Sequence, residues 1–158
     1  MSQLGAFTGA PRWVAASAGR RGMNASIEGG CLCGGVRYRL GAEPTQLSDC
    51  HCIDCRRASA APFVTWGAVS RDKIELVSGE LRKVTHAGRL RSFAACCGTP
   101  LFFQDDEASA SIDVTIASLD DPQSYSPEVA IWTEDRLPWV QLSPERKTFR
   151  QGREQPHG

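Results

Sequence analysis

From Ile27 onward, apolar and polar residues alternate in short runs rather than at helical spacing. Val36-Arg37-Tyr38-Arg39-Leu40 and Lys73-Ile74-Glu75-Leu76-Val77 both have the two-residue period of a half-buried strand. The stretch from Pro62 to Val69 is dense in β-branched and aromatic side chains, among them Phe63, Val64, Thr65 and Trp66. Ser78-Gly79-Glu80 is a turn signal before a run over Leu81 to Thr85, and His86-Ala87-Gly88 another before Leu90 to Phe93. Further strands are predicted over Leu101-Phe102-Phe103, over Ile112 to Ile116, and through Val129-Ala130-Ile131-Trp132. Helical signals are confined to a short turn after Cys52 through Ala58 and to Asp121 to Gln123. Short strands about 8–12 residues apart, punctuated by turns, predict a mainly β domain of the sandwich or folded-sheet kind.

At 158 residues the chain holds one domain, expected over residues 26–150. Residues 1–25 are expected to be a disordered extension: the first 22 are rich in Ala, Gly, Ser and Arg and lack acidic residues. Arg12, Arg20 and Arg21 give this segment a faint transit-peptide character, no apolar signal core follows them, and Met23 offers an alternative start. The polar residues 151–158 are expected to fray. Lys and Arg number 18, as do Asp and Glu, so no global field draws the chain to nucleic acid or an anionic membrane. No apolar run reaches the ~20 residues of a membrane span. A free cytoplasmic protein with neither a nucleic-acid nor a membrane partner is the expectation.

The cysteines change the picture. All seven fall in three tight groups: Cys31 and Cys33; Cys50, Cys52 and Cys55; Cys96 and Cys97. Disulfide frameworks spread their cysteines so that bridges close long loops, and the count here is odd. Bridges between groups remain formally possible, but metal binding explains the spacing better. In Gly29-Gly30-Cys31-Leu32-Cys33-Gly34-Gly35, two sulfurs one residue apart can face one ion only across a tight turn, which flanking glycines permit. Cys96-Cys97-Gly98-Thr99-Pro100 again couples thiols to a turn. A zinc ion held between these distant segments would staple a β domain shut.

Cys50-His51-Cys52-Ile53-Asp54-Cys55-Arg56-Arg57 contains the C-x-x-C spacing of a zinc knuckle and a third sulfur. Three thiolates hold zinc tetrahedrally with a fourth position left for water or substrate, the arrangement of a reactive site. His51 as a fourth ligand would instead close the site and make it structural. Arg56 is a candidate contact for an anionic substrate, against the alternative of a solvated surface pair with Arg57. Trp66, Trp132 and Trp139 are candidate pocket walls or core aromatics. His86 is expected to be exposed in its turn, and Asp54 either shuttles protons or orients the knuckle.

These motifs resemble the glutathione-dependent formaldehyde-activating enzyme family, also called the centromere protein V family. The likeness runs through Gly30-Cys31-Leu32-Cys33-Gly34, Cys50-His51-Cys52-Ile53-Asp54-Cys55-Arg56, Cys97-Gly98-Thr99-Pro100-Leu101 and Ile131-Trp132…Leu137-Pro138-Trp139. It implies a β-tent fold and two zinc sites. One is structural, on Cys31, Cys33, Cys97 and one further cysteine; the other is reactive, on Cys50, Cys52 and Cys55. The implied chemistry joins formaldehyde to the thiol of glutathione, or as a carbon–sulfur lyase releases it. Two departures stand out. Ala94 occupies the position of the family's usual first cysteine in the third motif, so either Cys96 replaces it or the structural site is incomplete. Ala130 stands where a histidine is common.

The sequence therefore predicts a zinc-dependent carbon–sulfur lyase acting on a small thiol–aldehyde adduct resembling S-hydroxymethylglutathione. Its metal ligands are Cys31, Cys33, Cys96 and Cys97 at one site and the catalytic Cys50, Cys52 and Cys55 at the other. The rival reading is a non-catalytic zinc scaffold or thiol-sensing module.

Overall fold

The computed structural model describes residues 26–153. The extension expected over residues 1–25, and residues 154–158 of the expected tail, lie outside the described residues. The chain is mainly β, as the alternating pattern predicts. A three-stranded antiparallel sheet runs in the order β1 (Ile27–Gly30), β2 (Arg37–Leu40), β5 (Ile74–Ser78). The larger sheet has the order β11 (Lys147–Thr148), β10 (Val129–Ile131), β3 (Thr45–Cys50), β4 (Val64–Ser70), β9 (Ser111–Thr115), β8 (Pro100–Gln104), β7 (Arg89–Ala94), β6 (Leu81–His86). The one α-helix among the described residues, α1 (Ile53–Ser59), follows β3 directly. The signal at Asp121 to Gln123 appears as a 3-10 turn over Pro122–Ser124.

Register decides what each face of the large sheet does. Phe102 pairs with Val114 and with Ser92, and Val69 with Ile112. Phe102, Val114, Val69 and Leu47 on this face meet Tyr38 and Leu40 of β2 in the main core. Tyr38 is fully buried, edge-on to Phe102 at 5.0 Å, and its hydroxyl lies 2.6 Å from the Ser118 hydroxyl. Gly29 stands beside it because a Cβ there would sit 2.4 Å from the Tyr38 hydroxyl oxygen. The alternate residues form another row. Arg91 pairs with Phe103, Phe103 with Asp113, and further along the sheet Ser48 with Trp66 and Cys50 with Ile131. Residues directly opposite one another share a face, so this second face carries charge and sulfur where the first carries hydrocarbon.

The C-terminal segment secures β3 and β10. Asp49 is buried, accepts a 2.6 Å hydrogen bond from the Thr65 hydroxyl and pairs with Arg146. Phe149 N–H donates to the Ala130 carbonyl at 2.8 Å, and Arg153 donates to the Leu47 carbonyl at 2.8 Å. Ala130 is fully buried in this strand. Among the described residues no helix is long and apolar enough to cross a membrane.

Candidate active site and metal centres

Two loops meet to form the first sulfur cluster. After β1 the chain turns at Cys31–Gly35, with Gly34 N–H donating to the Cys31 carbonyl at 3.0 Å and Gly34 at φ 76°. That left-handed geometry is why glycine is needed there. Between β7 and β8 the chain turns again, Gly98 (φ 74°) donating to the Ala94 carbonyl at 2.8 Å. The four thiols of Cys31, Cys33, Cys96 and Cys97 come within 4.8 Å of one another. Cys96 Sγ stands 3.3 Å from Cys33 Sγ and 3.6 Å from Cys31 Sγ, while Cys31 and Cys33 sulfurs are 3.6 Å apart. A zinc ion with bonds of about 2.3 Å places its tetrahedral sulfurs about 3.8 Å apart, so the set fits zinc with slight expansion. Disulfide bonds of about 2.0 Å do not fit, and all seven cysteines are free. Ala94 itself packs into the main core; the sulfur that joins the cluster comes from Cys96.

Two of these thiols are held towards the thiolate form. At Cys97 burial opposes ionisation, but the Thr99 hydroxyl 3.2 Å away and the Cys33 and Thr99 N–H groups bring the thiol down to about 6. At Cys31 burial likewise opposes, and the Val36 N–H donating at 3.2 Å together with the Cys33 and Cys96 thiols lowers the thiol against it. Ready deprotonation is what a metal ligand requires.

The second cluster is built differently. Cys50 ends β3, Cys52 caps α1 and Cys55 lies in its first turn; the three thiols again fall within 4.8 Å of one another. Cys52 Sγ accepts the Cys55 N–H at 3.3 Å, so the same sulfur that starts the helix faces the metal position. The neighbouring Cys50 and Cys55 thiols lower the Cys52 thiol well below its usual range. Cys50 and Cys55 are buried beside Trp66. His51 does not join the cluster. Its ring, 1 % exposed, packs against Phe63 at 5.1 Å, and neither nitrogen has a hydrogen-bond partner. Burial lowers its pKa and keeps it neutral.

The three sulfurs border a cavity of about 360 Å³, a size within the usual range for small-molecule sites. It is lined by Cys50, Cys52, Asp54 and Cys55 together with Arg89, Arg91, Phe103 and Asp113, with Trp66 and Trp132 among its walls. Trp132 takes φ 55° there, an uncommon left-handed conformation for a bulky residue. Trp139 is 65 % exposed, outside the cavity. Arg56 is also outside: its guanidinium Nε donates to the His51 carbonyl at 3.1 Å. The arginines that do face the cavity, Arg89 and Arg91, lie two apart on β7. Their alternation with buried Leu90 is legible in the chain and is the signal that identifies them. Asp113 is pushed up to about 6 by burial, with the Asp105 charge adding to the effect.

With this geometry in view, comparison with known proteins is decisive on kinship. Residues 26–135 match the model of the glutathione-dependent formaldehyde-activating enzyme family. The chain belongs to this family. Among curated proteins, an uncharacterized lyase of Schizosaccharomyces pombe is 29 % identical over 76 residues, which cover 48 % of this chain and 56 % of that protein. The chain thus spans little more than half the length of this curated relative. A crystal structure of a Rhodobacter sphaeroides protein aligns with a TM-score of 0.48 at 21 % identity, covering 58 % of this chain and 85 % of that one. The family is one of glutathione-dependent formaldehyde-activating enzymes. Both cysteine groups could hold metal ions, consistent with zinc.

Proposed function

We propose that the protein is a zinc-dependent carbon–sulfur lyase whose substrate is an adduct of a small thiol, such as glutathione, with formaldehyde. One observation carries this reading: three convergent thiols, one short of a tetrahedral set, border a cavity of small-molecule size. A zinc ion on Cys50, Cys52 and Cys55 would supply a Lewis acid and a place for a substrate sulfur or oxygen. In the lyase direction the carbon–sulfur bond breaks with its electron pair passing to sulfur. The adduct's hydroxyl loses its proton as its oxygen forms the carbonyl of formaldehyde, so the thiol and the aldehyde together balance the adduct.

The chain's own groups supply the rest. Trp66, Phe103, Ile131 and Trp132 exclude water from the reacting atoms. Asp113, near the midpoint of its titration around pH 6, exchanges the hydroxyl proton across the cavity. Arg89 sits 3.9 Å from Asp54 and 3.8 Å from Asp105, holding the cavity's rim together. Cys31, Cys33, Cys96 and Cys97 are the structural ligands.

The test is exchange spectroscopy on ¹³C-formaldehyde mixed with glutathione. Protein that accelerates interconversion of free aldehyde and adduct, lost in Cys52→Ser, supports the reading. Interconversion at the uncatalysed rate, with both zinc sites loaded, leaves the non-catalytic scaffold.

A further inference from the structure

Arg91 is only 9 % exposed, yet its guanidinium has no carboxylate partner among the described residues. Its guanidinium lies over the face of the Phe103 ring, 5.0 Å from the guanidinium carbon to the ring centre. The Nε is buried without a hydrogen-bond acceptor. An aromatic face offsets part of the lost hydration of a cation but satisfies none of its five donors. Among the described residues, none of the acidic side chains lining the cavity pairs with it. Arg89 takes up Asp54 and Asp105. Asp113 is separated from Arg91 by Phe103 on the intervening strand and remains raised in pKa by burial rather than lowered by a nearby cation. A buried cation left unpaired is costly, and a carboxylate is the group whose shape fits a guanidinium fork in a bidentate fashion.

The position of Arg91 relates it to the sulfur cluster. It lines the same cavity as Cys50, Cys52 and Cys55, and with Cys55 it borders a small hollow beside Trp66. Helix α1 closes the distance further, carrying Asp54, between two of the cysteines, to within ion-pair reach of Arg89. We infer that Arg91 is a carboxylate seat, and that the cavity therefore selects thiols bearing a carboxylate a few bonds from sulfur, as in a cysteine-containing peptide, over uncharged thiols. This rests on the cavity's being the thiol site proposed above and adds the feature that sets its specificity. Arg56, the arginine nearest the cysteines in sequence, is committed to the His51 carbonyl instead.

The test is calorimetric titration of the full-length, zinc-loaded protein with glutathione, S-methylglutathione, glutathione diethyl ester and 2-mercaptoethanol. S-methylglutathione keeps the carboxylates but blocks the thiol; the diethyl ester keeps the thiol but removes the carboxylate charges. The wild type is expected to bind glutathione at least about tenfold more tightly than its ester. Arg91→Met, which retains the apolar stem, should lose at least about tenfold in affinity for glutathione and S-methylglutathione and bind 2-mercaptoethanol as the wild type does. Arg91→Lys should fall between them, because it keeps the charge without the fork. The ester comparison needs no substitution, so it decides the matter even where a variant fails to fold. Equal binding of glutathione and its ester by the wild type, or equal loss of every ligand in Arg91→Met, would overturn the seat while leaving the thiol site standing. Binding of S-methylglutathione that depends on Arg91, with no response to 2-mercaptoethanol, would uphold the seat and overturn the thiol site.

Discussion

On the proposed function, the two sulfur clusters would invert the usual relation between exposure and reactivity. The cluster of Cys31, Cys33, Cys96 and Cys97 lies near the surface, with three of its four residues exposed. The cluster of Cys50, Cys52 and Cys55 is buried or half-buried. Exposure alone would make the first the reactive one. The number of donors argues the reverse: four thiols complete a tetrahedron and leave an incoming ligand nowhere to bind, whereas three leave a position facing the cavity. Origin differs too. The first cluster joins two turns sixty or more residues apart in the chain, so a metal there ties β1–β2 to β7–β8. The second is local, a strand end running into a helix start, and little of the fold depends on it. In the proposed function, reactivity would follow from incomplete coordination over a cavity, and stapling from complete coordination between distant segments.

The largest break in this comparison should come from Cys33→Ser. Losing one of four donors uncouples the staple, and because metal binding is coupled to folding the variant is expected to lose at least about 5 kcal/mol and one zinc. Thermal unfolding with parallel metal analysis measures both; an unchanged melting temperature would refute a structural role. Cys52→Ser should do the opposite. Serine is a good helix cap, so α1 keeps its start, and the variant is expected to stay folded within about 1 kcal/mol while turnover falls at least about 10³-fold, roughly 4 kcal/mol. Unfolding of this variant would sink the division of labour between the clusters.

A smaller effect separates the cavity from the rest of the sheet. Asp113 has a folded pKa of about 6 against the ordinary 3.8, so the folded state holds its proton more tightly than the unfolded one. Stability from this group is greatest at low pH and falls as pH rises between those two values. Two units at about 1.4 kcal/mol each cap the cost at about 3 kcal/mol. Asp113→Asn never carries the charge, so its advantage over the wild type should grow by about 2 kcal/mol between pH 4.5 and pH 8 in denaturant titrations. A constant difference across that range would mean the carboxyl is not buried as described. The smallest effect probes the first cluster alone. A Cβ at Gly35 would lie 3.0 Å from Cys96 Sγ and 3.4 Å from Cys33 Sγ. Gly35→Ala should cost about 1 kcal/mol and weaken one zinc against a chelator, without altering glutathione binding at the cavity.

How much of this was legible in the chain depended on whether burial left a hydrophobic trace. Strands β2 and β5 announce themselves through alternation, β4 through its β-branched and aromatic residues and β6 to β10 through short apolar runs set off by turns, and Ala87–Gly88, with φ of 50° and 78°, makes the tight turn read from His86-Ala87-Gly88. Strand β3 was missed although it carries Cys50. Its sequence Thr-Gln-Leu-Ser-Asp-Cys is poor in strand formers, and it is held by partners distant in sequence: Thr65 and Arg146 on Asp49, and parallel pairing with β10. Strands β1, which ends in two glycines, and β11, which has two residues, were missed for similar reasons. Both cysteine groupings were readable from spacing. The choice between Cys96 and an incomplete site was not, since it depends on how the turn before Gly98 directs its sulfurs. Arg56 drew attention by adjacency to the cysteines, yet helix geometry turns it to the His51 carbonyl. Arg89 and Arg91, remote in sequence, reach the cavity through register across three strands.

The contrast between a closed and an open site is tested most directly by a native mass spectrum of the purified protein, recorded with and without glutathione. Two zinc ions per chain and a single glutathione adduct are expected, with the adduct lost in Cys52→Ser along with one zinc. One zinc per chain, or two that take up no thiol, would contradict it and leave a scaffold in place of an enzyme.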